Sequence, residues 1–401
     1  MFNVAVLGYG TVGSGVVKVI NDNNQVLKKF SGEEINVKYV LDLRDFPGDP
    51  VEKILVHDYE AILADDDVKC VVEVMGGVEP ANKFVRQAIE KGKSVCTSNK
   101  ELVARYGAEI LQLAKDNNVA FLFEASVGGG IPVIRSINES LTADNFDSIA
   151  GILNGTTNYM LTKMSNEDLT FDEVLKDAQD KGYAERNPEA DVEGYDACRK
   201  IAILTSLICG QQVDFEDIST EGITGITKQD IYYSKKLGLP IKLLGLMKKE
   251  NDKVYAMVAP FMLENDHCLR NVDGVYNAVS LHGDMLGDVM LYGQGAGSLP
   301  TASAVVSDVV EIAKNNSKNI PIKWAKEKVA LGDITTFKAR YFVRVEGEGQ
   351  SDKLRKTFEN ACFAPQLTGE TAFVTATAFS EKEIKEKLEG YSVLNLIRIA
   401  E

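Results

Sequence analysis

The sequence predicts an α/β protein: a doubly wound parallel sheet, then an α+β region, then a small C-terminal α+β tail. Three observations carry that expectation. Residues 1 to about 130 alternate short apolar runs with helical patterns, the mark of parallel strands joined by crossover helices. From about 131 the pattern changes to that of a more open sheet in an α+β substrate and dimerisation domain. From about 330 a strand–helix–strand order fills a short tail. A chain of 401 residues is too long for one ordinary core, and the changes of pattern divide it into 1–130, 131–300, a helical return and linker at 301–329, and 330–401.

Taken in order, Asn3–Leu7 reads as a buried strand, and Gly13–Asn21 opens a helix. Val37–Leu43, Lys69–Met75, Ser94–Thr97 and Val119–Glu124 read as the next strands, with helical patterns at Ala81–Lys91 and Ala104–Asp116. In the middle region Ile149–Leu153, Lys253–Phe261 and Val272–Val279 are strand-like, while Thr170–Lys181 and Tyr195–Cys209 are helix-like. After the glycine-rich Gly293–Gly297, Ala302–Lys314 has strong helical character. In the tail, Arg340–Val345 and Ala372–Ala376 read as strands flanking a helix at Lys353–Ala361, with another helix at Glu381–Leu388.

Composition narrows the function classes. A hydrophobic fraction of 45% and a charged fraction of 26% are those of a soluble globular protein. The most apolar helix-like run, Ile201–Cys209, is far too short to span a bilayer. The N-terminus enters a strand pattern without the basic start of a secretory signal, so the expected compartment is the cytoplasm. A formal charge of −15 with no long basic run argues against a nucleic-acid partner. Six scattered cysteines (Cys70, Cys96, Cys198, Cys209, Cys268 and Cys362), none in CxxC spacing, fit reduced core thiols better than disulfides or a zinc site.

Gly8-Tyr9-Gly10-Thr11-Val12-Gly13 follows a strand and opens a helix. In that context Gly8 permits the tight turn, Gly10 lets the backbone approach a pyrophosphate, and Gly13 allows close helix–strand packing. The helix N-terminus faces the negative charge. This is the dinucleotide-binding fingerprint of a Rossmann domain. The second strand ends in Leu41-Asp42-Leu43-Arg44, which offers an acid suited to a ribose 2′-hydroxyl and an arginine suited to a 2′-phosphate. NAD and NADP both remain open.

Three further motifs bear chemistry. Ser98-Asn99-Lys100 follows the fourth strand, and strand carboxyl ends line the ligand crevice of such sheets. Lys100 is therefore either a cofactor and substrate contact or a surface lysine at a helix start. Glu124-Ala125-Ser126-Val127-Gly128-Gly129-Gly130-Ile131-Pro132 is either an interdomain hinge or a loop whose carbonyls coordinate a hard cation. Gly182-Tyr183-Ala184-Glu185 precedes Asp191 and then Asp196-Ala197-Cys198-Arg199-Lys200. Asp196 and Lys200 stand four apart on a helix that continues into apolar Ile201–Cys209, so they share a face near the interior. Such a pair orients a lysine as a proton donor.

The ordered succession of these motifs, with Asn154-Gly155-Thr156-Thr157-Asn158-Tyr159 and the late Gly293-Gln294-Gly295-Ala296-Gly297, Thr301-Ala302, resembles homoserine dehydrogenase over about residues 1–315. The resemblance implies reversible NAD(P)-dependent oxidation of L-homoserine to L-aspartate 4-semialdehyde, in threonine, methionine and isoleucine synthesis. It implies Lys200 as proton donor to the carbonyl oxygen, Glu185 and Asp196 as holders of the amino-acid substrate, Asp191 assisting, and Gly155 and Thr156 close to it. Lys100 would contact cofactor and substrate and is itself a candidate for proton transfer; Gly76 and Gly297 would lie along the cofactor. Glu124, Val127, Gly129 and Ile131 match the family's monovalent-cation loop, in which main-chain oxygens bind sodium. A homodimer or higher homo-oligomer is expected.

Two departures stand out. Leu41 occupies the position where many NADP-using members carry arginine. The tail is reminiscent of an ACT regulatory domain, but Val345-Glu346-Gly347-Glu348-Gly349 replaces the turn that usually precedes its ligand-binding helix, so a degenerate tail is expected. The rival readings are a thioester-forming semialdehyde dehydrogenase, for which only His267-Cys268 pairs a base with a thiol in sequence, and a non-catalytic dinucleotide sensor.

Overall fold

The structure is a computed structural model that describes residues 1–365 and 367–401. The chain divides into two compact units. One comprises Met1–Ala143, Ala202–Phe215 and Gly293–Val329; the other comprises Asp144–Ile201, Glu216–Tyr292 and Ala330–Glu401.

In the first unit, six strands among the described residues form a wholly parallel sheet: β1 (Phe2–Leu7), β2 (Ile35–Leu41), β3 (Leu55–Val56), β4 (Val68–Glu73), β5 (Ser94–Thr97) and β6 (Phe121–Leu122). Their spatial order, β3-β2-β1-β4-β5-β6, reverses direction between β1 and β4, which is the doubly wound arrangement the alternation predicts. β1 is buried everywhere but Asn3 because helices cover both faces of such a sheet. The helix Ser298–Lys314 returns late in the chain to this unit and buries Ala302, Val305, Val309 and Ile312 in the same core as Val4, Val6, Val16 and Ile20. Val119–Glu124 yields only the two-residue β6, since Glu124 already starts a 3-10 turn running to Ser126. The helix expected from Ala104 begins four residues earlier, at Lys100, because Asn99 caps it by accepting from the Leu102 amide.

The second unit is built on one large mixed sheet. Its path runs Gly287–Gln294, Tyr276–Gly283, Phe146–Ile152, Ile241–Glu250, Lys253–Leu263, Val393–Ala400, Lys338–Glu346, Glu370–Val374 and Cys362–Phe363. Ile241–Glu250 and Lys253–Leu263 form a hairpin paired over its full length, turned by Asn251 and Asp252, both in the left-handed region that two-residue hairpin loops require. The tail is continuous with this sheet: Val393–Ala400 pairs in parallel with Lys253–Leu263 and antiparallel with Lys338–Glu346. The strand expected over Val272–Val279 starts at Tyr276, because Gly274 takes a left-handed turn. The tail helix expected over Lys353–Ala361 is Ser351–Thr357. No helix among the described residues is long and apolar enough to cross a membrane.

Candidate active site

The glycine fingerprint sits where β1 ends and the helix Thr11–Asp22 begins. Gly8 has φ +96°, a conformation that glycine adopts without strain. A Cβ on Gly13 would lie 1.9 Å from the Gly8 carbonyl oxygen, so only glycine allows the helix to sit this close to the turn. Gly10, by contrast, faces open space, and no side chain caps the helix there. The three glycines thus do three jobs, and the open one leaves an approach to uncapped amides. Gly76 (φ +84°), in the turn after β4, and Gly297 (φ +111°), the N-cap of Ser298–Lys314, also need positive φ. Ser298 Oγ donates to the Thr11 carbonyl at 2.5 Å, so the late glycine loop meets the fingerprint helix within this unit.

Asp42, just past β2, is fully engaged. Its Oδ1 accepts from the Arg44 amide and Nε, each at 3.0 Å; its Oδ2 accepts from the Tyr9 amide at 2.8 Å and from Arg44 Nη2 at 3.0 Å. These donors, Arg44's guanidinium first, hold the carboxyl well below the usual carboxylate range. Asp42 thereby anchors the fingerprint through Tyr9 and fixes Arg44 beside it, with the guanidinium over the Phe46 ring. Lys100 is the first residue of the helix Lys100–Asp116, at the carboxyl end of β5.

The loop from Glu124 to Ile131 is buried except at Gly130. The Glu124 carboxylate accepts from the Ile134 and Arg135 amides at 2.9 and 2.7 Å, and its own amide donates to Asp308 at 2.9 Å. Arg135 completes the cluster with a 2.7 Å bond to Asp308. Burial pushes the Asp308 carboxyl up to about 8, against the pull of Arg135. Gly129 has φ +57°, and a Cβ there would lie 2.4 Å from the Gly295 oxygen, so the glycine run is needed for close backbone packing. Among the described residues no group of three His, Cys, Asp or Glu side chains is placed to hold a metal ion.

In the second unit, the expected acid–lysine pair forms. Lys200 and Asp196 lie on the helix Tyr195–Cys209 and are both buried; Lys200 Nζ donates to Asp196 Oδ2 and to the Leu153 carbonyl, each at 2.7 Å. Asn154 is the hub of the cluster. Its Nδ2 donates to Asp191 at 2.7 Å and to Asp196 at 2.9 Å, while its Oδ1 caps the helix Gly155–Glu167 by accepting from the Thr157 amide. A Cβ on Gly155 would lie 2.8 Å from the Val275 oxygen. Thr156 Oγ1 donates to the Tyr183 carbonyl at 2.6 Å, which ties the Gly182–Glu185 motif to the same helix start. Glu185 is exposed there, its carbonyl held by Gln179. Asp191, Asp196, Lys200, Gly155 and Thr156 therefore converge within this unit.

The comparisons with known proteins cover both units. The family model described as homoserine dehydrogenase matches residues 132–310, and that described as its NAD binding domain matches residues 8–124. The homoserine dehydrogenase of Bacillus subtilis is 45% identical over 316 residues, which is 78% of this chain and 73% of that one. The chain belongs to the homoserine dehydrogenase family. It is an NAD(P)-dependent oxidoreductase of amino-acid biosynthesis. Among solved structures, the homoserine dehydrogenase of Thiobacillus denitrificans matches with TM-score 0.89 and 33% identity, covering 100% of this chain and 98% of that one. A hyperthermophilic archaeal homoserine dehydrogenase mutant, solved in complex with NADPH, matches with TM-score 0.67 and 28% identity over 80% of this chain and 99% of its own.

Homoserine dehydrogenase membership disfavours both rivals, and the geometry at His267-Cys268 agrees. His267 Nδ1 accepts from the Leu269 amide and caps a short turn, while the Cys268 thiol donates to Ser280 Oγ at 3.2 Å. Burial pulls the His267 pKa down. That histidine holds a turn. The sequence alone does not single out Asn154, although a signal is there: an asparagine before glycine and threonine at a helix start is a capping pattern, and its amide hydrogens can serve the acids nearby.

Proposed function

We propose that this homoserine dehydrogenase reduces L-aspartate 4-semialdehyde to L-homoserine, and reverses that reaction, with Lys200 as the proton donor and acceptor. The observation that carries the reading is the buried Lys200 ammonium held between Asp196 and the Leu153 carbonyl. The nicotinamide, when bound, supplies or receives the hydride at the substrate carbonyl carbon. Addition of hydride to an aldehyde leaves an alkoxide oxygen, which a positioned ammonium stabilises and protonates. In the oxidation direction the neutral amine takes the hydroxyl proton. Asp196 keeps the lysine aimed, and Asn154 keeps Asp196 in place. Glu185, Asp196 and Asp191 supply the carboxylates that an α-ammonium substrate needs, and Gly155 and Thr156 offer helix-start amides to its carboxylate.

Gly8, Tyr9, Gly10, Thr11, Val12, Gly13, Asp42, Arg44, Gly76, Lys100 and Gly297 form the cofactor set in this reading. Every favourable acceptor direction of Asp42 is occupied, so capture of a free ribose 2′-hydroxyl requires Arg44 to move; Arg44 itself is exposed and cationic. That arrangement favours acceptance of NADP as well as NAD. The carbonyls of Glu124, Val127, Gly129 and Ile131 are the donors for a sodium ion. Main-chain oxygens suit a hard monovalent cation, and the left-handed Gly129 gives the loop its turn. The enzyme works in the cytoplasm as a homodimer or larger homo-oligomer, with the tail as a degenerate, ACT-like extension.

The test is a steady-state assay of Lys200→Ala with homoserine. Turnover is expected to fall by about 10²–10⁴-fold, the range for losing a positioned general acid, while cofactor binding persists. Undiminished turnover removes Lys200 from the mechanism.

A further inference from the structure

Glu73 ends β4 in full burial. An ionised carboxylate in such a place is costly unless donors surround it. Here they do. Its Oε1 accepts from the Met75 amide at 2.8 Å, and its Oε2 accepts from Thr97 Oγ1 at 2.5 Å. The Gly76 amide and the Asn99 side chain also act on it, opposing the upward push of burial on its pKa. Thr97 Oγ1 in turn accepts from the Asn99 amide at 2.9 Å, and Asn99 Nδ2 donates to the Gly77 carbonyl at 2.5 Å. The Ser98 amide closes the set on the Glu73 carbonyl at 3.3 Å.

One side chain thus joins two places at the carboxyl ends of neighbouring strands. The first is the turn Met75–Gly77, with Gly76 and Gly77 both at positive φ and Met75 packed against Gly8. The second is the Ser98-Asn99-Lys100 start of the helix Lys100–Asp116. Both oxygens face donors, so the acceptor-only carboxylate fits where glutamine, with an NH₂ on one side, does not.

We propose that Glu73 is a positioning residue for the nicotinamide cofactor: it holds the Met75–Gly77 turn and the Lys100 helix start in the one arrangement that accepts the dinucleotide. The inference rests on the reading that Gly76 and Lys100 lie along the cofactor. It predicts a defect in cofactor binding that a purely structural role would not single out.

Full-length Glu73→Gln, Thr97→Val and Gly76→Ala are compared with the parent enzyme by fluorescence titration of NADPH and NADH and by steady-state kinetics. Glu73→Gln is expected to weaken cofactor binding and raise the cofactor KM about tenfold, the loss of one charge-assisted hydrogen bond. The homoserine KM at saturating cofactor stays within about twofold of the parent value. Thr97→Val shifts cofactor affinity the same way by about threefold, and decides the matter if Glu73→Gln does not fold. A folded Glu73→Gln with unchanged cofactor affinity, or with equal rises in both KM values, overturns the proposal, as does unchanged affinity in Thr97→Val. Gly76→Ala separates the two levels. If it leaves cofactor affinity intact, the underlying placement of the cofactor is wrong; if it weakens binding while Glu73→Gln and Thr97→Val do not, only the role of Glu73 fails.

Discussion

Arg44 and Asp308 show how a single charge takes its meaning from what surrounds it. Arg44 is tied to Asp42 by its backbone amide and by two guanidinium nitrogens, yet its side chain is 62% exposed, so the pair can open to a ligand. Arg44→Ala is expected to raise the KM for NADPH about tenfold while that for NADH changes less than threefold, as for loss of one charge-assisted phosphate contact; equal changes for both cofactors would remove Arg44 from discrimination. Asp308 is the opposite case, wholly enclosed between Arg135 and the Glu124 amide. Its folded pKa is raised from 3.8 to about 8, so the folded state holds a proton that the unfolded chain has released. The stability this contributes is complete below about pH 4 and is lost as pH rises through about 8. Melting temperatures of the parent and Asp308→Asn across pH 5 to 9 test the sign. The parent is expected to lose ground relative to the variant as pH rises, and a difference independent of pH contradicts it.

At the scale of the element, Asn154 combines two duties that a pair of substitutions can separate. Its Oδ1 caps the helix Gly155–Glu167, and its Nδ2 holds Asp191 and Asp196. Serine at 154 keeps a capping oxygen but lacks the amide donor, so Asn154→Ser is expected to melt near the parent and lose most turnover. Asn154→Ala loses both, with about 1 kcal/mol of stability gone with the cap. Equal turnover in the two variants and the parent would free the acids from Asn154. The same comparison explains which elements were legible in the sequence. β1, β4, β5 and the helix Tyr195–Cys209 could be read because a buried parallel strand is a short apolar run and an interior helix a long one. Ile241–Glu250 was not, since Ile-Lys-Leu-Leu-Gly-Leu-Met has neither period; nearly all of it is buried, and its lysine at 242 is held by the Val272 carbonyl and Asp273. Of the site, Lys200 and Asp196 were visible as an i,i+4 pair. Glu73 was not, because its partners Met75 and Thr97 come together only when β4 and β5 pair.

For the second unit as a whole, the tail is structural tissue of the large mixed sheet. Arg344, on the tail strand Lys338–Glu346, is buried with a carboxylate on either side. Its Nη1 donates to Asp230 at 2.8 Å and to Thr227 at 2.9 Å, and its Nη2 donates to Glu370 at 2.6 Å. Asp230 belongs to the helix Lys228–Leu237 and also accepts from Asn395 of the last strand. One guanidinium therefore fastens the helix Lys228–Leu237 to two tail strands, and Asn395 ties the same helix to a third. Methionine at 344 keeps much of the volume but leaves two buried carboxylates without their cation. Breaking a buried pair in this way costs about 3–5 kcal/mol, whereas replacing every member by apolar groups often costs little. Arg344→Met is thus expected to lower the melting temperature by about 10 °C, with cofactor affinity unchanged because the residues proposed to hold the cofactor lie in the other unit. Adding Asp230→Leu and Glu370→Leu to Arg344→Met should recover most of that loss. If Arg344→Met melts like the parent, the tail is held by its strand pairing and apolar core alone; if the triple variant melts no higher than the single one, the cost lies in packing and not in stranded charge.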